Sequence, residues 1–315
     1  ASRRAFDPRA LAAFRDALWP KFHVFRAYKI ENQHKAVRFD ASGETVLADH
    51  FPSQWTGAAI AARRRSFALS PETTAEKFDQ NAAGWSGDPT SPLYAHHRWM
   101  RRLVAEVGAP RAGERALDAG CGAGWVGIEA AKMGAQVSAF DPSAAMLKHV
   151  AENAKAEGVS IDAKVGFVEQ PPFAERFPLV LNSGVISFAP EADRFLAALD
   201  ALVAPGGRLV IGDANPLSKG MARRRAERPV LPIRELNAST RDDVELRLTK
   251  LGYRIAARRY YQLTYPVPEL MHVSARRFGG LGCGWLLRRN QRAASHDSNE
   301  AAGFDSWLLR AERPT

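Results

Sequence analysis

Apolar positions along the chain fall into two regimes. Between residues 8 and 30 they mix with basic residues at rough helical spacing, and Leu11, Phe14, Leu18 and Phe22 form the expected inward stripe. Residues 35–39 and 44–48 read as two strands joined by a turn in which Gly43 supplies the permissive backbone. Residues 56–70 carry a helical pattern, and Pro71 after Ser70, with Glu72 in the first turn, marks another helix start. No function attaches to residues 1–75, which read as an N-terminal extension of helix and hairpin.

From about residue 110 short apolar runs alternate with helical stretches. Strands are expected over 115–119, 136–140, 163–168, 178–182, 207–212, 253–262 and 305–311. Helices are expected over 93–107, 124–133, 144–157, 191–203 and 240–251. Such alternation predicts an α/β fold with a parallel sheet covered on both faces. Residues 76–315 are read as one domain. Within it, residues 264–303 read as an irregular, lid-like insertion between the last two strands, with Gly279-Gly-Leu-Gly282, paired arginines and a polar run near 295–300.

Composition narrows the class. The 315 residues are 46% hydrophobic and 25% charged, which excludes a disordered or fibrous chain. No window approaches 18 uninterrupted apolar residues, so no membrane-spanning helix is expected. Charges throughout residues 1–20 leave no apolar stretch for a signal peptide. The chain begins on Ala1, as expected of a processed or excised piece of a longer one. Cys121 and Cys283 are too few for a disulfide framework, which fits a reducing, cytoplasmic compartment. The net charge of +10 is unevenly spread. Residues 1–75 hold 12 basic and 7 acidic side chains, 76–218 hold 13 and 17, and 219–315 hold 19 and 10. The basic flanks suit phosphates, anionic lipid or nucleic acid, or are simply solvated arginine-rich faces.

Candidate chemistry centres on Arg115-Ala-Leu-Asp118-Ala-Gly120-Cys121-Gly122-Ala-Gly124-Trp-Val-Gly127. A strand ends near an acid, turns on alternating glycines and opens into a helix. Glycines let a bulky cofactor approach the backbone, and the helix N-terminus favours negative charge. Taken alone, Gly122-Ala-Gly124-Trp-Val-Gly127 with Asp141 beyond it also fits a dinucleotide site, so an NAD-dependent oxidoreductase and a plain structural turn both compete, with a non-catalytic module that keeps the cofactor pocket as a further alternative.

The ordered series that follows separates these readings. It runs through Gln136-Val-Ser-Ala-Phe-Asp141-Pro142-Ser-Ala-Ala-Met146, Gly166-Phe-Val168-Glu169, Phe177-Pro-Leu-Val-Leu-Asn182-Ser183-Gly184 and Leu202-Val-Ala-Pro205-Gly-Gly207. Over roughly residues 76–263 the chain resembles the class I S-adenosylmethionine-dependent methyltransferases, especially the small-molecule branch with the ubiquinone and menaquinone enzymes. The resemblance implies a Rossmann-like, doubly wound, mostly parallel seven-stranded sheet with the last strand antiparallel. It implies S-adenosylmethionine as methyl donor, with Gly120, Cys121, Gly122 and Gly124 beneath its methionine and ribose. Asp118 would fix the turn or meet the amino group, Asp141 with Pro142 would hold the ribose hydroxyls, and Met146 would pack on adenine. Val168 and Glu169 would meet the adenine edge, although many relatives carry an aspartate where Phe167 stands. Asn182, Ser183 and Gly184 would flank the sulfonium. Upstream, Phe78 and Trp85 resemble the aromatic residues of the N-terminal segment that folds over the cofactor.

The acceptor is expected to be a small, hydrophobic molecule, with O-, N- or C-methylation open. A base is needed only for a protonated acceptor. His97 is expected to face inward from the helix 93–107, sharing a face with Leu93, Met100 and Val104, with His96 more lateral; His272 is a second candidate. Histidine spacing shows no metal signature. Between Tyr260 and Arg289 aromatic, apolar and basic residues interleave, suiting an acceptor-side lid, a surface leaning on a membrane, or a loop packing its own aromatics. No nucleic-acid-binding module accompanies them. Oligomeric state is not legible.

Overall fold

In a computed structural model, residues 37–39, 45–47, 75, 78, 79, 82, 87, 94–222, 238–264, 283–294 and 300–315 are described. Contacts divide the chain into two compact units, Ala1–Arg63 and Arg64–Thr315. In the first, β1 (Val37–Phe39) pairs antiparallel with β2 (Thr45–Leu47), in the register Val37 to Leu47. The helices expected over 8–30 and 56–70 lie outside the described residues.

The second unit carries seven strands in one sheet. Its elements are α1 (Tyr94–Gly108), β3 (Arg115–Ala119), α2 (Trp125–Lys132), β4 (Gln136–Asp141), α3 (Ala144–Ala156), β5 (Ile161–Val165), β6 (Phe177–Ser183), α4 (Ala192–Leu202), β7 (Val203–Ala214), α5 (Arg241–Lys250), β8 (Arg254–Leu263), α6 (residues 283–294) and β9 (Phe304–Glu312). The sheet order is β5-β4-β3-β6-β7-β9-β8, and only β9 runs antiparallel to its neighbours. The order reverses at β3 and β6, and a doubly wound sheet opens a crevice there at the carboxyl ends of its strands.

The central strands read as apolar runs because both faces are covered. Leu117, Phe140, Val180, Leu209 and Trp307 pack into one core cluster, and Ala116, Val137, Leu179, Val210 and Leu308 into another. Arg208 on β7 ties the amino ends of the strands together. Its guanidinium donates to both Glu114 carboxylate oxygens, at 2.6 and 3.0 Å, and to the carbonyls of Gly108 and Ala109.

Two expectations need correcting. The strand placed over 163–168 is β5, at 161–165. The chain leaves the sheet at Gly166, where a Cβ would stand 2.5 Å from Pro172 Cδ, and Val168 then drops into the core. Part of the segment read as irregular is the helix α6: Cys283, Leu286, Asn290 and Ala294 are buried at helical spacing, while Arg288, Arg289 and Arg292 face out. Residues 265–282 and 295–299 lie outside the described residues.

Candidate active site

At the carboxyl ends of β3, β4 and β6 lies a cleft that encloses about 890 Å³ of non-atom space, part of it open solvent. Its floor is the loop between β3 and α2. Gly120 and Cys121 donate their N–H groups to the Phe140 carbonyl at 2.9 and 3.0 Å, which docks the turn on β4. Gly120 holds φ +72°, and a Cβ there would stand 2.7 Å from Val185 Cγ2, so backbone and wall both require glycine. Gly127, in the first turn of α2, has another reason to lack a side chain: its N–H donates to Asp118 Oδ2 at 2.8 Å, and a Cβ would stand 3.1 Å from that oxygen.

Asp118 and Asp141 end the strands that flank the loop. Asp141 accepts from the N–H of Gly122 at 2.8 Å and from the N–H of Ser143 at 2.9 Å. A carboxylate has about four lone-pair sites, so acceptor capacity remains for a ligand. Burial pushes Asp118 up to about 7, against the Gly127 hydrogen bond, with the Asp141 charge adding to the rise. Burial likewise pushes Asp141 up to about 6, against its two backbone hydrogen bonds. Near neutral pH the cleft thus holds two carboxyls poised to ionise for a cation, and such shifts concentrate where function demands them.

Ser143 caps α3, accepting from the N–H of Met146, and donates to Asp79 Oδ1 at 2.5 Å. Phe78 meets Phe188 edge to face at 5.2 Å across the cleft. Ala82, Ala123 and Met146 form a small apolar cluster with Phe78 and Trp125 against it. Arg101 on α1 and Trp125 at the start of α2 complete the wall.

Sequence-predicted residues divide clearly. Phe78, Asp118, Gly120, Cys121, Gly122, Asp141, Pro142, Met146, Ser183 and Gly184 line the cleft. Gly124 does not; it faces α3, where a Cβ would stand 3.0 Å from Val150. Val168 packs in the core, and neither it nor Glu169 is among the lining residues. Asn182 is buried beneath the floor, its amide donating to the Ala119 carbonyl at 2.8 Å. Trp85 and His272 lie outside the described residues.

The histidine expectation is reversed. His97 is exposed and off the cleft, and His96 is the buried one. The apolar stripe of α1 runs through His96, Met100, Val104 and Gly108, because Gly108 packs closely on Leu179 and Leu181 and sets the rotation of the helix. Burial, with His97 beside it, pushes His96 down to about 4, so its ring is neutral at pH 7. Neither residue lines the cleft.

Sequence reasoning missed Arg101, Ala123, Trp125, Val126, Val185 and Phe188 as lining residues. Trp125 stood inside the glycine motif and Val185 one residue past another, so adjacency was a usable signal for both.

By sheet order and crevice the chain has a Rossmann-like, doubly wound architecture. Residues 116–207 match the family described as methyltransferase domain. Curated relatives include the ubiquinone biosynthesis O-methyltransferases of Rhizobium leguminosarum bv. trifolii (35% identity over 36% of this chain and 45% of that protein) and Maricaulis maris (32% over 49% and 65%). The chain spans between about half and two thirds of the length of such relatives. Among solved structures, magnesium protoporphyrin IX methyltransferase from Synechocystis, with bound SAH, aligns at TM-score 0.54 and 16% identity, covering 77% of this chain and 99% of that one. The cyclase SpnF aligns at 0.53 and 19%, covering 79% and 97%. These two likenesses show the fold.

Proposed function

We propose that the chain transfers a methyl group from S-adenosylmethionine to a small, hydrophobic organic acceptor. The observation that carries this is the pairing of the glycine loop with Asp118 and Asp141 in one cleft, within a segment that matches a methyltransferase domain. Asp141 receives the ribose diol, for which a carboxylate's two oxygens are suited. Met146 packs on adenine. Asp118 faces the methionine amino group through the loop, and Arg101 offers a guanidinium to its carboxylate. Phe78, Trp125 and Phe188 surround the sulfonium, excluding water and presenting ring faces to a cation.

Transfer is an in-line displacement: the acceptor's lone pair forms the new bond to the methyl carbon as the carbon–sulfur bond breaks. Alignment and exclusion of water are the protein's main contributions. The apolar wall and the names of the curated relatives favour a lipophilic phenolic ring methylated on oxygen. The phenolic proton then leaves to solvent at the open side of the cleft, since neither His96 nor His97 lines it. The nicotinamide reading has no such support, since the matched family is a methyltransferase one. Incubating the chain with methyl-labelled S-adenosylmethionine and a lipid extract tests the proposal. Label is expected in an apolar aromatic product; no acceptor-dependent transfer from any extract would contradict it.

Acidity gives a second check. A bound sulfonium and ammonium favour the ionised carboxyls, so affinity rises with pH through about 6–7 and levels off above. Titration calorimetry should find S-adenosylmethionine bound roughly tenfold more weakly at pH 5.5 than at pH 7.5. A flat profile would remove both acids from the cofactor site.

The free thiols Cys121 and Cys283 support a cytoplasmic location for this activity. Among the described residues no helix is long and apolar enough to cross a membrane. Peripheral contact with anionic lipid is supported by α6, where exposed Trp285 has the Arg289 guanidinium 5.4 Å from its ring centre and Arg288 and Arg292 lie on the outer side. Cosedimentation with phosphatidylglycerol vesicles, reduced by Trp285→Ala, is the expected result; no sedimentation of the unaltered chain would discard that contact.

A further inference from the structure

Arg98 lies outside the cleft, yet its side chain meets those of Tyr94, Trp125, Glu129 and Glu157. It stands on α1, three residues before Arg101, with its side chain 15% exposed. One guanidinium nitrogen donates to Glu157 Oε1 at 2.6 Å and to the Tyr94 hydroxyl at 3.1 Å, and the other pairs with the Glu129 carboxylate. Glu129 is buried on α2, and Glu157 follows α3 and is held from its other side by Lys132 at 2.6 Å. The guanidinium carbon also lies 4.0 Å from the centre of the Trp125 ring, whose edge-to-face neighbour is Tyr94.

This arrangement is directional. A planar fork can pair with two carboxylates and still stack its face on an aromatic ring; an ammonium is a point charge and cannot do all three. Trp125 opens α2 directly after the glycine loop and lines the cleft, and Arg101 lines it one turn along α1. A single side chain therefore locks a helix that carries one wall residue against the ring that forms another.

We infer that Arg98 is a positioning residue that sets the Trp125 ring and the α1 wall for the cofactor, acting through its fork between Glu129 and Glu157. The inference rests on the reading that the cleft holds S-adenosylmethionine. Displacing the ring by an ångström would loosen a site whose binding depends on the geometry of its supports.

The test uses the full chain labelled with 5-fluorotryptophan, the Trp125 resonance being assigned with Trp125→Phe. In Arg98→Lys without ligand that resonance is expected to move, and the dissociation constant for S-adenosylhomocysteine to rise about tenfold, as loss of a charge-assisted contact allows. Glu157→Gln, a milder change, should move both in the same direction by less, and it decides the matter if Arg98→Lys does not fold. Lys132→Met removes another partner of Glu157 without touching Trp125; it is expected to lower the melting temperature slightly and leave affinity and resonance unchanged. A helix staple with no bearing on the site would instead lower stability in all three and leave affinity alone. An unmoved Trp125 resonance, or a moved one with unchanged affinity, overturns the inference. If the unaltered chain binds no S-adenosylhomocysteine, the functional reading falls, and the ligand-free resonance still decides whether Arg98 sets the ring.

Discussion

Asp141→Ala is expected to weaken binding of S-adenosylhomocysteine about a hundredfold. The substitution removes the proposed acceptor of the ribose diol, and hydrogen bonds to a charged group contribute about 1.5–3 kcal/mol each. It also strips the partner from the Gly122 and Ser143 N–H groups, so the loop and the start of α3 lose their common anchor. A hundredfold loss is about 2.8 kcal/mol at ~1.4 kcal/mol per factor of ten, within the range of a single such contact. Asp141→Asn separates the contributions. Its amide keeps an acceptor oxygen for one N–H but offers a donor to the other, so affinity should fall between the alanine variant and the unaltered chain. Titration calorimetry at pH 7.5 reads both; an alanine variant within threefold of the unaltered chain would free Asp141 of any role with the ligand.

The largest effect on stability is expected at Arg208, at the other end of the sheet from the cleft. Arg208 and Glu114 leave only 5% and 8% of their side chains exposed. Although burial acts in the opposite direction, the guanidinium holds the Glu114 carboxyl below the usual carboxylate range. Removing one partner of a buried pair leaves an uncompensated charge, at a cost of about 3–5 kcal/mol. For Arg208→Met the melting temperature should therefore fall on the order of 10 °C, at ~2–4 °C per kcal/mol for a domain of this size. Adding Glu114→Gln removes the stranded charge and should recover part of the loss. The lowered Glu114 pKa also means that its contribution is present above the unfolded carboxyl range and is lost as pH falls through the folded value. Circular dichroism melts measure all of this, and a shift under 2 °C for Arg208→Met would show that the pair is idle. Affinity in the cleft should not change, which separates this variant from Asp141→Ala.

Much of the sheet was legible because its strands are buried on both faces. Runs such as Arg115–Ala119 and Phe177–Ser183 carry no polar alternation to blur them, and the loop after β3 announces itself through glycines that the backbone requires. Legibility failed where packing between elements decided the outcome. The stripe on α1 fits His97 as well as His96 by periodicity alone, and it is the packing of Met100, Val104, Ala105 and Gly108 on the sheet that buries His96. Strand β5 sits at the sheet edge with an exposed pattern, so the apolar residues beyond it misplaced it. Val168 and Asn182 turn their side chains into the core and the floor beneath the loop, a placement their motifs do not disclose, and the backbone contact read for Val168 is untouched by it. The wall formed by Arg101 and Phe188 comes from segments distant in sequence and carries no local pattern.

Titration calorimetry of the unaltered chain against S-adenosylhomocysteine, with NADH in a parallel cell, bears most directly on the function argued above. One equivalent of the sulfur nucleoside should bind with micromolar affinity, and NADH should give no heat. Heat from NADH with none from S-adenosylhomocysteine would contradict the assignment of the cleft between β3, β4 and β6.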